Sequence, residues 1–226
     1  MILDTFVVGR LQANCYVFGD EATREVAVID PGDQAPALLE QFRERDYRVT
    51  TVLATHHHLD HSGGLHELLA GLPAARFLMH AVDYPLIAES VPSASMWYGH
   101  PVTPPRAPDR FVEHGETFPV GGLEARVLHC PGHTPGSICI AVGAGADAGA
   151  PGAVFTGDVL FQGSIGRFDF PGSDGRALIH SIREHLLTLP DETVVYPGHG
   201  PATTIGEERA HNPFLVNTRA TLGFDA

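Results

Sequence analysis

Thr55-His56-His57-His58-Leu59-Asp60-His61 is the stretch on which the reading of this chain turns. It follows the apolar run 49–54 and leads into Ser62-Gly63-Gly64, where a helix can begin. A loop between a strand and a helix can aim several side chains at one point. A straight strand or a straight helix cannot, because their side chains fan out with fixed periods. Alternate positions His56 and His58 share a side, which leaves His57 pointing elsewhere. Asp60 and His61 offer a second pair one step on. Neutral imidazole plus carboxylate is a donor set that Zn²⁺, Fe²⁺ and Mn²⁺ accept. A purification tag would be terminal and homopolymeric, whereas this segment is internal and interrupted by an aspartate.

Three later segments repeat the grammar of strand, turn and one ligand. They are Leu128-His129-Cys130-Pro131-Gly132-His133-Thr134-Pro135-Gly136-Ser137, Val154-Phe155-Thr156-Gly157-Asp158 and Val194-Val195-Tyr196-Pro197-Gly198-His199-Gly200. Each sets a His or Asp just past a strand end, beside a glycine that lets the backbone turn tightly. One Pro-Gly-His turn alone is an ordinary turn. Four such segments in one chain point to a metal site built at strand ends.

The surrounding sequence supplies the strands this scheme needs. Residues 5–8, 15–18, 25–29, 49–54 and 76–80 are β-branched or aromatic runs bounded by turn residues, and 123–128, 137–142, 153–156 and 193–196 follow the same pattern. Helical spacing of apolar residues marks 36–45, 64–72 and 176–189. The stretch 92–109 carries Pro92, Pro101, Pro104, Pro105 and Pro108 and reads as a long loop, with Trp97 and Tyr98 in it. Residues 143–152 are nearly all Gly and Ala and read as a flexible hairpin tip. No internal repeat or shift of composition marks a boundary, so one domain over 1–226 is expected.

Composition narrows the function classes. The 226 residues carry a net charge of -13, which disfavours nucleic acid and anionic membrane surfaces as partners. Fourteen histidines are the one oddity. The three cysteines, Cys15, Cys130 and Cys139, show no close pair at ligand spacing and suggest a reducing compartment. No basic, apolar leader opens the chain and no run approaches the ~18 apolar residues of a membrane span, so a cytoplasmic protein is expected.

Through the motif 55–61, Pro131-Gly132-His133-Thr134-Pro135-Gly136-Ser137, Thr156-Gly157-Asp158 and Pro197-Gly198-His199, the chain resembles the metallo-β-lactamase superfamily, in its glyoxalase II-like branch. The resemblance implies an α+β fold, a four-layer αββα sandwich with two divalent metal ions at one edge. Zinc is the first expectation, iron or manganese the others. It further implies that His56, His58 and His133 hold one metal, that Asp60, His61 and His199 hold the second, and that Asp158 bridges them. A hydroxide trapped between the metals would attack a thioester such as S-lactoylglutathione, with Asp60 placed to hydrogen-bond and orient the nucleophile.

The stretch from Asp158 to Phe170 bears on the substrate. Glyoxalase II enzymes carry a Lys and a Tyr there that hold glutathione. Here Arg167 stands in the place of the Lys, and Asp169 replaces the Tyr. Arg167 therefore has two readings, contact with an anionic substrate or an ion pair with Asp169 or Asp174. Little sequence follows Phe214, so no counterpart of the helical domain that completes the glutathione pocket is expected. The pattern is similar to the short bacterial relatives of that branch. Persulfide dioxygenases resemble it too, with one iron on His58, His133 and Asp158. The acidic charge disfavours the ribonucleases of the superfamily, and the missing leader disfavours β-lactam hydrolysis.

Overall fold

A computed structural model describes residues 1–99, 101–143, 152–218, 221 and 223, and the hairpin tip expected at 143–152 lies largely outside them. The chain divides into two compact units, one of residues 1–112 and 118–124, the other of 113–117 and 125–226.

The first unit is built on β1 (Ile2–Val8), β2 (Ala13–Gly19), β3 (Glu25–Ile29), β4 (Arg48–Leu53), β5 (Arg76–Met79) and β6 (Arg110–Phe111), hydrogen-bonded in that order. Neighbours are antiparallel from β1 to β3 and parallel from β3 to β6. Between the parallel strands run α1 (Ala35–Glu44), then α2 (Leu59–Ser62) with α3 (Leu65–Gly71), then α4 (Tyr84–Tyr98). Leu38 and Phe42 of α1, with Leu65, Leu68 and Leu69 of α3, pack on Val28, Val52 and Phe77. The register aligns Ile29 with Leu53 and Leu53 with Leu78, so β3, β4 and β5 end level. Whatever follows those three ends is brought together, as at the carboxyl ends of parallel strands generally.

The helix α4 replaces the first part of the loop expected at 92–109; among the described residues, 101–109 stay irregular. Pro92 sits inside it, at a local cost of roughly 3 kcal/mol. Ile87 and Ala94, seven residues and thus two turns apart on one face, are both buried. Packing outweighs the local cost. The side chain of Trp97 lies outside the described residues.

The second unit contains β7 (Thr117–Val120), β8 (Leu123–His129), β9 (Ile138–Val142), β10 (Ala153–Gly157), β13 (Val194–Pro197) and β14 (Thr203–Thr204), ordered β14-β13-β10-β9-β8-β7. A small hairpin, β11 (Leu160–Phe161) and β12 (Ser164–Ile165), follows β10. All residues of β9 and β10 are buried, as expected of strands that are apolar but for Thr156. The helix expected at 176–189 forms as α5 (Gly175–Ser181), capped by the Asp174 carboxylate, and continues as a π turn over Ile182–Leu186. Leu178, Ile179, Ile182 and Leu186 are buried against Val154 and Val195. The unit closes with α6 (Ile205–His211) and α7 (Pro213–Val216). No helix among the described residues is long and apolar enough to cross a membrane.

Candidate metal centre

In the first unit the motif 55–61 leaves the end of β4. Asp60 and His61 lie on the single turn of α2 rather than in a loop. Asp30, one residue past β3, is buried in a left-handed conformation that aspartate tolerates, φ 56°. Its carboxylate accepts hydrogen bonds from the Thr55 amide at 2.7 Å and the Thr55 hydroxyl at 2.7 Å, and it lies 3.0 Å from Nδ1 of His61. A carboxylate only accepts, so His61 carries its proton on Nδ1 and its lone pair on Nε2. The single Thr55 hydroxyl proton goes to Asp30. Its oxygen, 2.9 Å from Nδ1 of His56, must therefore accept from that ring, which leaves the His56 lone pair on Nε2 as well. That nitrogen stands 3.1 Å from Nδ1 of His58. The edge of a zinc tetrahedron with Zn–N near 2.05 Å is about 3.3 Å, so the pair is spaced as two ligands of one ion.

Asp60 Oδ2 lies 3.5 Å from Nε2 of His61, beyond a good hydrogen bond. The backbone of Gly32 passes so close to the Asp60 carbonyl that a Cβ there would stand 1.6 Å from it. Only glycine fits.

In the second unit the three ligand-type residues come from separate strand ends. β10 and β13 are parallel, Gly157 is paired with Pro197, and the Gly198 amide donates to the Gly157 carbonyl at 2.8 Å. The next residues, Asp158 and His199, are thereby neighbours. Asp158 places Oδ2 3.6 Å from Nε2 of His133 and Oδ1 3.8 Å from Nε2 of His199. Those separations are too long for hydrogen bonds and suit a carboxylate that shares ions with both rings. Nδ1 of His133 is 2.8 Å from the Arg167 carbonyl. A carbonyl only accepts, so this imidazole too keeps its lone pair on Nε2. Gly132, at φ 141°, lets the turn before His133 run against Leu178, and Gly166 passes beside the Asp158 carbonyl, where a Cβ would meet it at 1.8 Å.

The sequence reading overlooked Asp30, Thr55 and Asp83. Asp30 opens the run Asp30-Pro31-Gly32-Asp33, which in the sequence serves only as the turn boundary of the strand 25–29. Its signal was a carboxylate at a parallel strand end. His57, set aside as a non-ligand, donates from its amide and its ring to Asp83. Arg167 forms a two-pronged ion pair with Asp169, both contacts 2.9 Å, and its guanidinium lies 4.2 Å from the centre of the Phe170 ring. The Asp169 hydrogen bond raises the Arg167 pKa, and the Arg167 hydrogen bond lowers that of Asp169. Of the two readings for Arg167, the pairing with Asp169 is the one formed here. The three cysteines are buried thiols, and burial pushes Cys15 well up, with the nearby Asp30 charge adding to it.

The family model of the metallo-beta-lactamase superfamily matches residues 8–199. The chain belongs to the metallo-beta-lactamase superfamily. Hydroxyacylglutathione hydrolase GloC of Haemophilus influenzae is 39% identical over 216 residues, covering 95% of this chain and 98% of its own. The crystal structure of the BLEG-1 B3 metallo-beta-lactamase matches with a TM-score of 0.85 and 33% identity, over 95% of this chain and all of that one (100%). TTHA1623, solved in a di-iron-bound form, matches with a TM-score of 0.80 and 39% identity, over 94% of this chain and 100% of its own. These matches establish the metallo-β-lactamase fold, of the α+β class. As a member of the superfamily the chain is an enzyme of the metallo-hydrolase kind, and its clustered histidines and aspartates imply divalent metal ions.

Proposed function

We propose that the chain is a binuclear metallohydrolase of the glyoxalase II type that cleaves an anionic thioester such as S-lactoylglutathione. The observation that carries the metal chemistry is the fixing of His56, His61 and His133 by Thr55, Asp30 and the Arg167 carbonyl, each leaving a lone pair on Nε2. A solvated histidine loop has no need of such partners. In this reading His56, His58 and His133 hold one ion, Asp60, His61 and His199 the other, and Asp158 serves both. Two bound divalent ions supply Lewis acidity toward a carbonyl and a water acidified enough to be a nucleophile near neutral pH. The di-iron form of TTHA1623 supports a pair rather than a single ion.

The chain's own residues do the rest. The Asp60 carboxylate orients the attacking water, whose oxygen bonds to the thioester carbon while the C–S bond breaks and the thiol leaves with a proton. The likeness to hydroxyacylglutathione hydrolase across both chains supports the thioester class. Arg167 would take the anionic end of the substrate by exchanging Asp169 for a substrate carboxylate. It is exposed and so accessible to that exchange. A cytoplasmic setting agrees with the three free thiols.

The test is turnover on a preparation whose metal has been quantified. Thiol release from S-lactoylglutathione, with about two metals per chain, is the expected result. One iron per chain with oxygen uptake on glutathione persulfide, and no thioester cleavage, would overturn the reading. So would cephalosporin hydrolysis in the absence of thioester cleavage.

A further inference from the structure

The three level ends of β3, β4 and β5 do unequal work. The end of β4 carries the ligand motif, while each flanking strand delivers one buried carboxylate. Asp30 follows β3, and Asp83 follows β5 by four residues, immediately before α4. Asp30 holds Thr55 and His61, at the two ends of the motif. Asp83 reaches its middle. A single oxygen of Asp83, Oδ2, accepts the His57 amide proton at 2.9 Å and lies 3.0 Å from Nδ1 of the same residue. The His57 carbonyl in turn accepts from the Ser62 hydroxyl at 2.9 Å.

The amide, ring and carbonyl of His57 are therefore all engaged, and the peptides on either side of it cannot rotate. Those two peptides set the Cα–Cβ directions of His56 and His58. The 3.1 Å spacing of the facing nitrogens of those rings depends on them. A carboxylate removed from water is unfavourable unless donors replace its hydration. Asp83 is fully buried, and two of the donors it has recruited, the amide and the ring of His57, belong to the residue between two ligands. A brace for helix α4 alone would need no partner in that motif.

We infer that Asp83, through His57, is a positioning residue for the His56–His58 ligand pair. Its hydrogen bonds to the amide and ring of His57 act on the residue that joins the two ligands. Its effect is to hold the loop in the shape that a metal ion requires, so that binding need not order the loop first. The inference rests on the metal-site reading above, and the experiment separates the two.

The full chain, freed of metal by chelation, is titrated with Co²⁺ in competition with a chromophoric chelator, and the visible absorption of the cobalt protein is recorded. Asp83→Ala is expected to bind Co²⁺ about 10- to 100-fold more weakly, the range for loss of an orienting partner, with an altered spectrum. Asp83→Asn keeps a carbonyl oxygen where Oδ2 stands and is expected to recover most of the affinity and the wild-type spectrum. His57→Phe, which keeps a ring but loses the Nδ1 donor, should fall between them, and it serves if Asp83→Ala does not fold. Wild-type affinity and spectrum in both Asp83→Ala and His57→Phe would overturn the inference, whatever happens to their melting temperatures. Equal loss in Asp83→Asn and Asp83→Ala would also overturn it. Wild-type protein that binds no Co²⁺, or binds it unchanged after His58→Ala, would instead refute the metal site on which the inference stands.

Discussion

The two units present their ligand-type residues in opposite ways. In the first, His56, His58, Asp60 and His61 are contiguous in sequence and held from outside by buried side-chain carboxylates. In the second, His133, Asp158 and His199 are far apart in sequence and held by backbone, through the Arg167 carbonyl and the Gly157–Pro197 strand pairing. A contiguous motif has only loop conformation to order, so it needs braces such as Asp30 and Asp83. Scattered ligands inherit their order from the sheet, whose hydrogen bonds fix the strand ends before any side chain is placed. Disturbing the first arrangement is a matter of side chains. Disturbing the second requires moving strands.

The largest expected effect tests whether the two sets act as one site. His58→Ala and Asp158→Ala should each abolish thioester hydrolysis, by about 10³-fold or more, and lower the bound metal. Unchanged turnover in either variant, measured by thiol release, breaks the comparison at its root. Next come the two glycines that let backbone pass beside an acidic residue, Gly32 by Asp60 and Gly166 by Asp158. Alanine at either position should destabilise by about 2–4 kcal/mol, read in urea unfolding, because backbone rather than a flexible side chain must give way. If Gly32→Ala is benign, the motif is less rigidly held than its braces imply.

A smaller effect lies at the rim of the second unit. Asp169→Ala frees the Arg167 guanidinium and should lower KM for an anionic thioester, while Arg167→Ala should raise it about tenfold, the scale of one charge-assisted contact. Both should leave the melting temperature alone, because the pair is exposed. Equal KM in both variants would remove Arg167 from substrate binding. The smallest effect concerns His185, whose ring lies 4.4 Å from that of His114. Burial, then the nearby His114, lowers its pKa from the ordinary 6.5. The unfolded chain then binds a proton more readily than the folded one, so stability is full above pH 6.5 and declines as pH falls below it. His185→Gln should flatten that decline by a few tenths of a kcal/mol, solvent screening keeping it small. A steeper acid limb in the variant would reverse the sign.

Much of this was legible in the residues. Strands β3, β4, β9 and β10 are short apolar runs ended by turn residues, and such runs become buried strands because nothing else covers them. The proposed ligand residues stand out in the sequence because imidazole and carboxylate beside glycine at a strand end have few other uses. What misled was Pro92. A local rule made 92–109 a loop, but burial of Ile87 and Ala94 holds the helix to Tyr98.

The sequence by itself determined the kind of chemistry, since ligand identity and spacing are local properties. The tertiary structure decided how the rings are held. Asp30 meets Thr55 across 25 residues and His61 across 31, Asp83 meets His57 across 26, and the Arg167 carbonyl meets His133 across 34. No local pattern encodes such pairings. They follow from the register that ends β3, β4 and β5 level and from the turn that returns Arg167 to His133. Register is set by the cooperative burial of whole strand faces, and a single residue, read in place, carries no sign of it.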